Sequence, residues 1–374
     1  MPAAPDQRLT SAIDAASEHA ASVDREARFP KETIAALGGS GLLGLTLPES
    51  VGGLGGDPAE FLQTTRAIAS RCASSAMVYL MHVCAAQVVL AGTAGGDSDT
   101  IRAMADGTCL GTLAFSEKES RSHFWAPVSQ LSGPDGDGRM AAEKSFVTSA
   151  GHADAYVVST RPWGTESPVE SSPYLVPAGA RGIGVGPAWT GLGLRGNASA
   201  PMIFSTPVAD ASPLGETGKG LDLMLGVVLP WFLLGSAAVS VGIAHAAANT
   251  AVGHATNSRL EHLDQTLADL PTVRARLGRA RIDVDTIDGF LSDGARRMGE
   301  QDPAAPLLAA KASASETAIR VTTEAMQACG GAGLSPTLPV ERNFRDARAS
   351  SVMAPTTDVL HELVGRAVAG MPLL

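Results

Sequence analysis

The sequence predicts an α+β protein in which a helical segment, a β-rich segment and a second helical segment follow one another. Three observations support this class. Apolar residues recur every three or four positions early in the chain, as at Leu9, Ile13 and Ala16. Short runs separated by Gly, Pro, Asp and Ser then take over, which is typical of strands. Long amphipathic segments return afterwards, so the predicted domains are 1–110, 111–212 and 213–374.

The first domain combines helix signals with one clear loop signal. Pro30 followed by Lys31 and Glu32 is typical of a first helical turn, because the missing N–H of proline has no intrahelical partner there. Residues 45–57 read Leu-Thr-Leu-Pro-Glu-Ser-Val-Gly-Gly-Leu-Gly-Gly-Asp and predict a loop between helices. Residues 58–92 return to helical periodicity.

The middle domain is predicted to be an antiparallel β-barrel or sandwich. Its apolar runs are short and bounded by turn residues, and they lie at 110–115, 145–148, 155–159, 174–176, 182–186 and 201–205. A linker rich in Gly and Pro, residues 211–220, closes the domain.

The C-terminal domain is predicted to be a four-helix bundle. Its longest apolar run, residues 223–241, comes close to the length and hydropathy of a membrane span. Gly226, Pro230, Gly235 and two serines interrupt the run, and these interruptions favour a buried core helix.

Composition narrows the functional classes. The formal net charge of −10 argues against nucleic-acid binding, which needs a basic face. The four cysteines show neither a Cys-x-x-Cys pair nor a metal-ligand spacing, so we expect free thiols, no metal site and a reducing, cytoplasmic location. The N-terminal residues carry no basic-then-apolar leader pattern, and we expect no membrane partner.

Five segments, in order, resemble the flavin-dependent acyl-CoA dehydrogenase family. Residues 29–55 resemble its N-terminal helical signature, residues 113–123 stand in the place of its Thr-Glu-Pro loop, and residues 143–154 resemble its Lys-x-Trp/Tyr-Ile-Thr-Asn strand. Gln-Ala-Cys-Gly-Gly-Ala-Gly-Leu at 327–334 and Pro-Val-Glu-Arg-Asn-Phe-Arg-Asp-Ala-Arg at 339–348 resemble its two C-terminal signatures. The resemblance runs nearly end to end and implies this family's α–β–α fold.

The resemblance implies FAD as cofactor and assigns residues to it. Ser116 and Thr148 correspond to contacts of the flavin ring, with Phe115 beside them and Phe146 as an aromatic wall. Phosphate and loop contacts are implied at Gln327, Gly330, Gly331, Arg259, Thr356 and Asp358. Glycines suit close approach of the backbone to a phosphate, although they also end helices. At Arg259 the family's following Phe-Gly is missing, so a solvated helix-end arginine is the alternative there.

The chain departs from the family where the family places its catalytic base. Most members carry a glutamate just after Arg-Asp-Ala-Arg, and the same register gives Ala354 here. Pro355 favours an extended Ala354, whose N–H remains available to a thioester oxygen. Other members carry the base on the helix beginning near 220, where this chain has Trp231 or Phe232. In the Thr-Glu-Pro loop, Lys118 stands for proline and Arg121 for glycine.

No replacement base is evident from the sequence. His82 on an apolar helix and Glu117 are weak candidates, with Glu119 and His123 as further ones, and a lone histidine on an apolar face is more often structural. By resemblance, the substrate pocket takes in Ser122, Trp231, Phe232 and Met353.

Two arginine-rich segments remain to be explained. Arg345 and Arg348 share a predicted helix with Asp346, and we expect ion pairs that dock this helix. The run Arg274, Arg276, Arg279 and Arg281 is either a solvated helix face or a docking patch for an acidic partner.

The expected activity is that of an FAD-dependent oxidoreductase on an acyl thioester, carried by CoA or a carrier protein, with Ala354 in the base position. The alternatives are a flavin monooxygenase on the same fold and a catalytically silent family member. The resemblance also implies a homo-oligomer, a dimer or tetramer, and it leaves the electron acceptor unidentified.

Overall fold

A computed structural model describes residues 7–93, 99–120, 123–134, 137–167, 169–299 and 304–373. The chain divides into two compact units. Unit 1 comprises residues 1–61, 77–190 and 195–232, and unit 2 comprises residues 62–76, 191–194 and 233–374.

The N-terminal part of the chain is helical. Its helices are α1 (Gln7–Arg25), α2 (Lys31–Gly39), α3 (Pro58–Ala69), α4 (Ala73–Gly92) and α5 (Asp99–Ala105). In α1 the buried residues Ala12, Ala16, Ala20 and Val23 form one stripe, so small side chains let the helix pack closely. Helix α4 is apolar on all sides, which is typical of a core helix.

In its described residues, the middle part supplies seven strands, all in unit 1. They are β1 (Gly111–Ala114), β2 (Ala142–Val147), β3 (Ala155–Thr160), β4 (Ser172–Pro177), β5 (Ile183–Val185), β6 (Ala200–Phe204) and β7 (Ser212–Pro213). One sheet has the order β1-β3-β4-β7 and the other the order β2-β6-β5. Residues from both sheets share one core, which includes Val147, Tyr156, Tyr174, Met202 and Phe204.

One strand pair differs from the antiparallel arrangement that the sequence predicts. Strand β1 pairs with β3 in parallel, with Gly111 opposite Ala155 and Ala114 opposite Val158. The reason is the path of the chain, because β2 lies between them in sequence but joins the other sheet. When the chain comes back to this sheet as β3, it therefore runs alongside β1 in the same direction. The remaining neighbours in both sheets of unit 1 pair antiparallel.

The last part of the chain is helical again. It contains α6 (Gly220–Leu223), a π-helical stretch (Met224–Val228), α7 (Leu229–Asn257), the short strands β8 (Arg259–Leu260) and β9 (Gln265–Thr266), α8 (Pro271–Arg297), α9 (Ala304–Cys329), α10 (Pro339–Val352) and α11 (Thr357–Val368). In unit 2, α8, α10 and α11 all pack on α9. An alanine-rich core joins α7, α9 and α10 through Ala247, Ala251, Ala325, Ala328 and Val340. The predicted α+β class with its helical, β and helical parts is confirmed.

Two helical segments are long and apolar enough to pass a membrane-span test, Ala73–Gly92 and Gly220–Asn257. In each, 78% of the most apolar window is buried inside the protein. Core helices of soluble proteins pass the same test, so this finding is weak evidence for a membrane segment.

Candidate functional site

In unit 1, an irregularity in β2 turns an aromatic ring outward. The register between β2 and β6 shifts between Lys144 and Val147, and Phe146 in this stretch has φ of +54°. Such a backbone conformation is uncommon for a bulky residue and is often found at functional positions. The Phe146 side chain is 65% exposed, and the Trp189 ring meets it edge-on at 5.9 Å. The result is an exposed aromatic wall beside polar groups.

The structure brings the other predicted flavin contacts of unit 1 next to this wall. The Ser145 N–H donates to the Ser116 carbonyl at 2.8 Å, which ties the residues after β1 to β2. The Thr112 hydroxyl donates to the Thr148 carbonyl at 2.8 Å, and the hydroxyls of Thr148 and Ser199 lie 3.1 Å apart. Phe115, Ser116, Phe146 and Thr148 therefore lie at neighbouring ends of β1 and β2.

A buried ion pair anchors this corner. Lys144 is fully buried, and its Nζ lies 2.6 Å from the carboxylate of Glu117. The same Nζ donates to the Ser159 carbonyl at 2.6 Å and to the Phe115 carbonyl at 3.4 Å. The Glu117 carboxylate also accepts from the main-chain N–H groups of Val128 and Ser129. The pair thus ties β1, β2 and β3 to the loop that follows Glu117.

The surroundings of Glu117 suit a structural anion. Burial alone would raise the pKa of its carboxyl, but the Lys144 ammonium and the hydrogen bonds from Lys144 and Ser129 outweigh it, so the pKa lies below the ordinary value. All its oxygens are engaged with donors inside the fold. Glu119 and His123 of the same loop are exposed.

His82, the other weak base candidate, lies in the core of unit 1. Its side chain is fully buried; its Nδ1 accepts the Gly111 N–H at 3.0 Å, and its Nε2 lies 3.1 Å from the Leu43 carbonyl. An accepting Nδ1 and a donating Nε2 define a neutral imidazole. Burial lowers the pKa of His82 to about 4, despite the opposing hydrogen bond to Leu43. This geometry supports a structural role that fixes the start of β1.

Aromatic rings surround the second position at which the family places its base. The Trp231 ring meets Phe61 edge-on at 5.3 Å, and Phe61 in turn lies 5.9 Å from the Tyr79 ring. Phe232 is 8% exposed and lies 6.4 Å from Phe124. Both side chains contact other aromatic rings, so the predicted apolar character of this position extends to its surroundings.

In unit 2, the end of α9 presents open glycines. Gly330 has φ of +59°, and a Cβ added at Gly330 or Gly331 would meet nothing within 4 Å. Gln327, one turn earlier, accepts a hydrogen bond from Arg276. Arg259 lies on β8, where it pairs with Asp264, and its side chain is 60% exposed.

Helix α10 is docked by the polar residues of its Arg-Asp-Ala-Arg segment. The Asp346 carboxylate accepts the Leu194 N–H at 2.7 Å, and Arg345 pairs with Glu341 and donates to the Leu192 carbonyl. A Cβ on Gly193 would lie 2.5 Å from the Arg345 carbonyl oxygen, so only glycine fits this crossing. Helix α10 is therefore docked through hydrogen bonds to main-chain groups of residues 192–194, whereas the Arg345–Glu341 ion pair lies within the helix and is not the docking ion pair that the sequence predicts.

The loop after α10 holds the residues that the sequence singled out. Met353 is extended, Ala354 is partly exposed and Pro355 is buried. Among the described residues, the Ala354 N–H has no hydrogen-bond partner. Asp358 lies in the first turn of α11, next to Thr357, whose buried hydroxyl also lacks a partner in the described part of the chain.

A second buried lysine, which the sequence patterns did not identify as a site residue, supports this loop. Lys311 of α9 is fully buried, and its Nζ donates to the carbonyls of Met353 at 3.0 Å and Pro355 at 2.7 Å. Its signal in the sequence is a single charge within an otherwise small and apolar run, residues 307–315. Lys144 gives a weaker signal, a charge at an inward position of an alternating strand.

The basic run on α8 is largely engaged within unit 2. Arg276 and Arg279 both contact the Glu324 carboxylate, at 2.9 and 3.1 Å. Arg281 pairs with Asp285 at 2.9 Å, and Arg274 donates to main-chain carbonyls just before α8. These contacts favour an internally paired helix face over a free docking patch.

The residues present fit a flavin. Within unit 1 the structure offers an exposed aromatic ring at Phe146 and hydroxyls at Ser116 and Thr148. Such a set suits a flat heteroaromatic ring with one polar edge. Two predicted residues, Arg121 and Ser122, lie outside the described residues. Within the described residues no group of three or more His, Cys, Asp or Glu side chains is placed to hold a metal.

Comparison with known proteins agrees with this arrangement. Models for the N-terminal, middle and C-terminal domains of acyl-CoA dehydrogenases match residues 11–108, 112–206 and 218–369. The short-chain specific acyl-CoA dehydrogenase of Bos taurus mitochondria is 28% identical over 355 residues, covering 91% of this chain and 83% of the relative. A probable acyl-CoA dehydrogenase of Mycobacterium bovis is 27% identical over 370 residues, covering 96% and 94%.

Solved structures show the same fold. Butyryl-CoA dehydrogenase from Megasphaera elsdenii superposes with a TM-score of 0.89 at 23% identity, covering 99% of this chain and all of that one. Three domain models in the expected order, together with full-length relatives, establish that the chain belongs to the acyl-CoA dehydrogenase family of FAD-dependent flavoprotein oxidoreductases.

Proposed function

We propose that this protein oxidises an acyl thioester in an FAD-dependent reaction, with Ala354 in place of the usual catalytic glutamate. The observation that carries the proposal is the Ala354 N–H, which lies in the loop after α10 and has no partner among the described residues. A thioester oxygen gains negative charge when the α-proton leaves, so a main-chain donor at this point stabilises the reacting state. That donor is independent of the side chain at 354.

The chain's own residues have distinct roles in this proposal. Bound FAD supplies the hydride acceptor. Phe115, Ser116, Phe146 and Thr148 of unit 1 would hold the flavin ring. The family resemblance assigns further cofactor contacts to Arg259, Gln327, Gly330, Gly331, Thr356 and Asp358. The same resemblance assigns Ser122, Trp231, Phe232 and Met353 to the substrate pocket.

A monooxygenase on the same fold is the second candidate. The observation that favours it is the aromatic character of the other base position, where Trp231 packs on Phe61 at 5.3 Å. A reaction between reduced flavin and oxygen needs no carboxylate at either position. A catalytically silent member is the third possibility, and it would share the same apolar positions.

Several finer assignments belong to the same proposal. The thioester carrier is CoA or an acyl carrier protein, the assembly is a homodimer or homotetramer, and the location is the cytoplasm. The electron acceptor is a separate partner of unspecified identity.

A spectrum and a substrate panel test the proposal. The purified protein should show flavin absorbance, and anaerobic addition of one of a series of acyl-CoA or acyl-pantetheine thioesters should bleach it. A yellow protein that no thioester bleaches contradicts the proposal. Hydroxylated product after chemical reduction and admission of oxygen would favour the monooxygenase, and a colourless protein that does not take up FAD would favour the silent member.

A further inference from the structure

Lys311 has an unusual set of contacts for a lysine. Its side chain is fully buried in unit 2, and its Nζ donates to two main-chain carbonyls, those of Met353 and Pro355. These carbonyls lie on either side of Ala354. The described residues include no carboxylate paired with Lys311, unlike the other fully buried lysine.

The contact with Met353 acts on the peptide group that carries the Ala354 N–H. That peptide is trans, since the cis bond of this loop is the next one. In a trans peptide the C=O and the N–H point in opposite directions. With the carbonyl directed at Lys311, the Ala354 N–H points away from it, and this N–H has no partner among the described residues.

A cation on the carbonyl also strengthens the donor on the other side of the same peptide. Hydrogen bonds in series polarise one another, and the effect is larger in a buried site where water does not screen it. Burying an amine costs free energy, and a structure keeps one only where specific contacts compensate. Among the described residues, both hydrogen bonds of the Lys311 Nζ go to the loop after α10, so the loop supplies the contacts that compensate the burial of Lys311.

We propose that Lys311 is a positioning residue that holds the Met353–Ala354 peptide and polarises it, making the Ala354 N–H an oxyanion donor for the substrate carbonyl. This deepens the proposed function and rests on it for the identity of the substrate carbonyl. Lys311 acts through these hydrogen bonds alone, so the reaction transfers no proton to or from it.

Charged side chains on the helices around α9 have partners of their own. Glu316 of α9 pairs with His361 of α11 at 3.3 Å, and Arg320 of α9 pairs with Asp283 of α8 at 3.3 Å. Arg348 of α10 lies over the Phe344 ring. Burial is the cause that lowers the pKa of Lys311, to about 7. The lysine therefore changes charge near neutral pH.

The test uses the FAD-loaded protein with Lys311→Met and Lys311→Gln. Methionine keeps the length of the chain without a donor, whereas glutamine keeps a neutral donor. The probe is a 3-thiaacyl-CoA labelled with 13C at the thioester carbonyl, which cannot lose hydride from its third position. We expect Lys311→Met to bind this probe roughly fivefold more weakly, the effect of one weakened hydrogen bond. Its bound 13C=O stretch should lose about half of the downshift seen in the wild type.

A second readout does not depend on substrate. Hydrogen exchange of residues 353–360 should be faster in Lys311→Met, while Ser315→Ala serves as the matched control. Ser315 is one turn away on α9, where its hydroxyl donates to the Lys311 carbonyl at 2.8 Å and lies 3.5 Å from the Ser350 carbonyl of α10. Its removal therefore costs a buried hydrogen bond of the same helix but no hydrogen bond to Met353 or Pro355. Lys311→Gln should fall between the wild type and Lys311→Met in both readouts.

The outcomes separate the two proposals. Unchanged carbonyl frequency and unchanged exchange in a folded, FAD-loaded Lys311 variant overturn the role of Lys311. Failure of the wild type to bind any thioester overturns the proposed function and, with it, the role of the Ala354 N–H as an oxyanion donor. Hydrogen exchange of residues 353–360 then tests only whether Lys311 stabilises the loop. If Lys311→Met does not fold, the same criteria apply to Lys311→Gln.

Discussion

Two buried lysines in this molecule meet opposite kinds of partner. Lys144 in unit 1 faces the Glu117 carboxylate at 2.6 Å, and Lys311 in unit 2 faces the carbonyls of Met353 and Pro355. A carboxylate neutralises a buried ammonium and fixes its charge. Carbonyls hold the same group by dipoles alone, so its charge depends on pH. The first lysine therefore anchors a fold element, and the second supports a loop through hydrogen bonds to its main-chain carbonyls.

The largest expected effect comes from adding a carboxylate to the braced loop. Because Lys311 contacts main-chain atoms at 353 and 355, we expect Ala354→Glu to leave the loop geometry intact. A general base in this place should accelerate anaerobic flavin reduction by the best thioester roughly 10²–10⁴-fold. Stopped-flow absorbance measures the rate.

Ala354→Gln is the matched control, since it has nearly the same shape and no basic group. Equal rates for Ala354→Glu and Ala354→Gln would mean that position 354 is not the site of proton removal. They would also remove the reason for comparing this loop with the family's base position.

The second-largest effect is expected from breaking the Lys144–Glu117 ion pair. Glu117→Ala leaves the Lys144 ammonium buried without a counter-ion, which should lower the free energy of unfolding by about 3–5 kcal/mol. Chemical denaturation measures the loss. The double variant Glu117→Leu with Lys144→Met removes both charges and should recover much of it. A single variant as stable as the wild type would show that the pair contributes little to the corner around Phe115 and Ser116.

Lys311 should make the free energy of unfolding depend on pH. Burial lowers the pKa of Lys311 to about 7 in the folded state, whereas an unfolded lysine titrates near ~10.4. Between these values the unfolded chain binds a proton that the folded chain lacks, so this residue makes the free energy of unfolding rise with pH. The slope is at most about 1.4 kcal/mol per pH unit and is confined to the range between the two pKa values. The resulting gain in stability is complete above the unfolded pKa and is lost as pH falls to the folded one.

Unfolding experiments on the wild type and Lys311→Met between pH 7.5 and 9 isolate this slope, because other titrating groups are common to both. We expect the difference in stability between them to change by about 2 kcal/mol over this range. Parallel curves for the two proteins would show that Lys311 does not change its protonation state there.

The smallest effect belongs to an exposed pair. Arg281 and Asp285 lie 2.9 Å apart on α8, and both side chains are more than half exposed. Asp285→Ala should change the free energy of unfolding by no more than about 0.5 kcal/mol, because water screens the pair. A loss as large as that of Glu117→Ala would contradict the idea that burial, rather than pairing itself, sets the importance of these contacts.

Much of the fold follows from local patterns. The order of helical, β and helical parts appears in the spacing of apolar residues, and the segment around Arg345 and Arg348 identifies the family through its motif. The glycine at the crossing of α10 is different, because only contact with the Arg345 carbonyl shows why residue 193 has no side chain. The parallel pairing of β1 with β3 also could not be predicted from the sequence, since strand direction depends on which sheet β2 joins.

The candidate site divides in the same way. Matching the family's motifs to the sequence identifies Ala354, Trp231 and Phe146, because a motif and any departure from it are both visible in consecutive residues. His82 looks like a possible base until its ring nitrogens are seen to meet Leu43 and Gly111. A polar residue in an apolar run has the same sequence signature whether it reacts or is fully satisfied by the fold.

By itself the sequence determined the family, the α+β architecture and the residues at which this chain departs from its relatives, because periodicity and motif register are local properties. Only the tertiary structure decided what the buried charges do. Glu117 meets Lys144 from 27 positions away, and Lys311 meets Met353 from 42 positions away. Tertiary packing brings these distant residues together. It therefore also determines whether a buried amine meets a carboxylate, as Lys144 does, or two main-chain carbonyls, as Lys311 does.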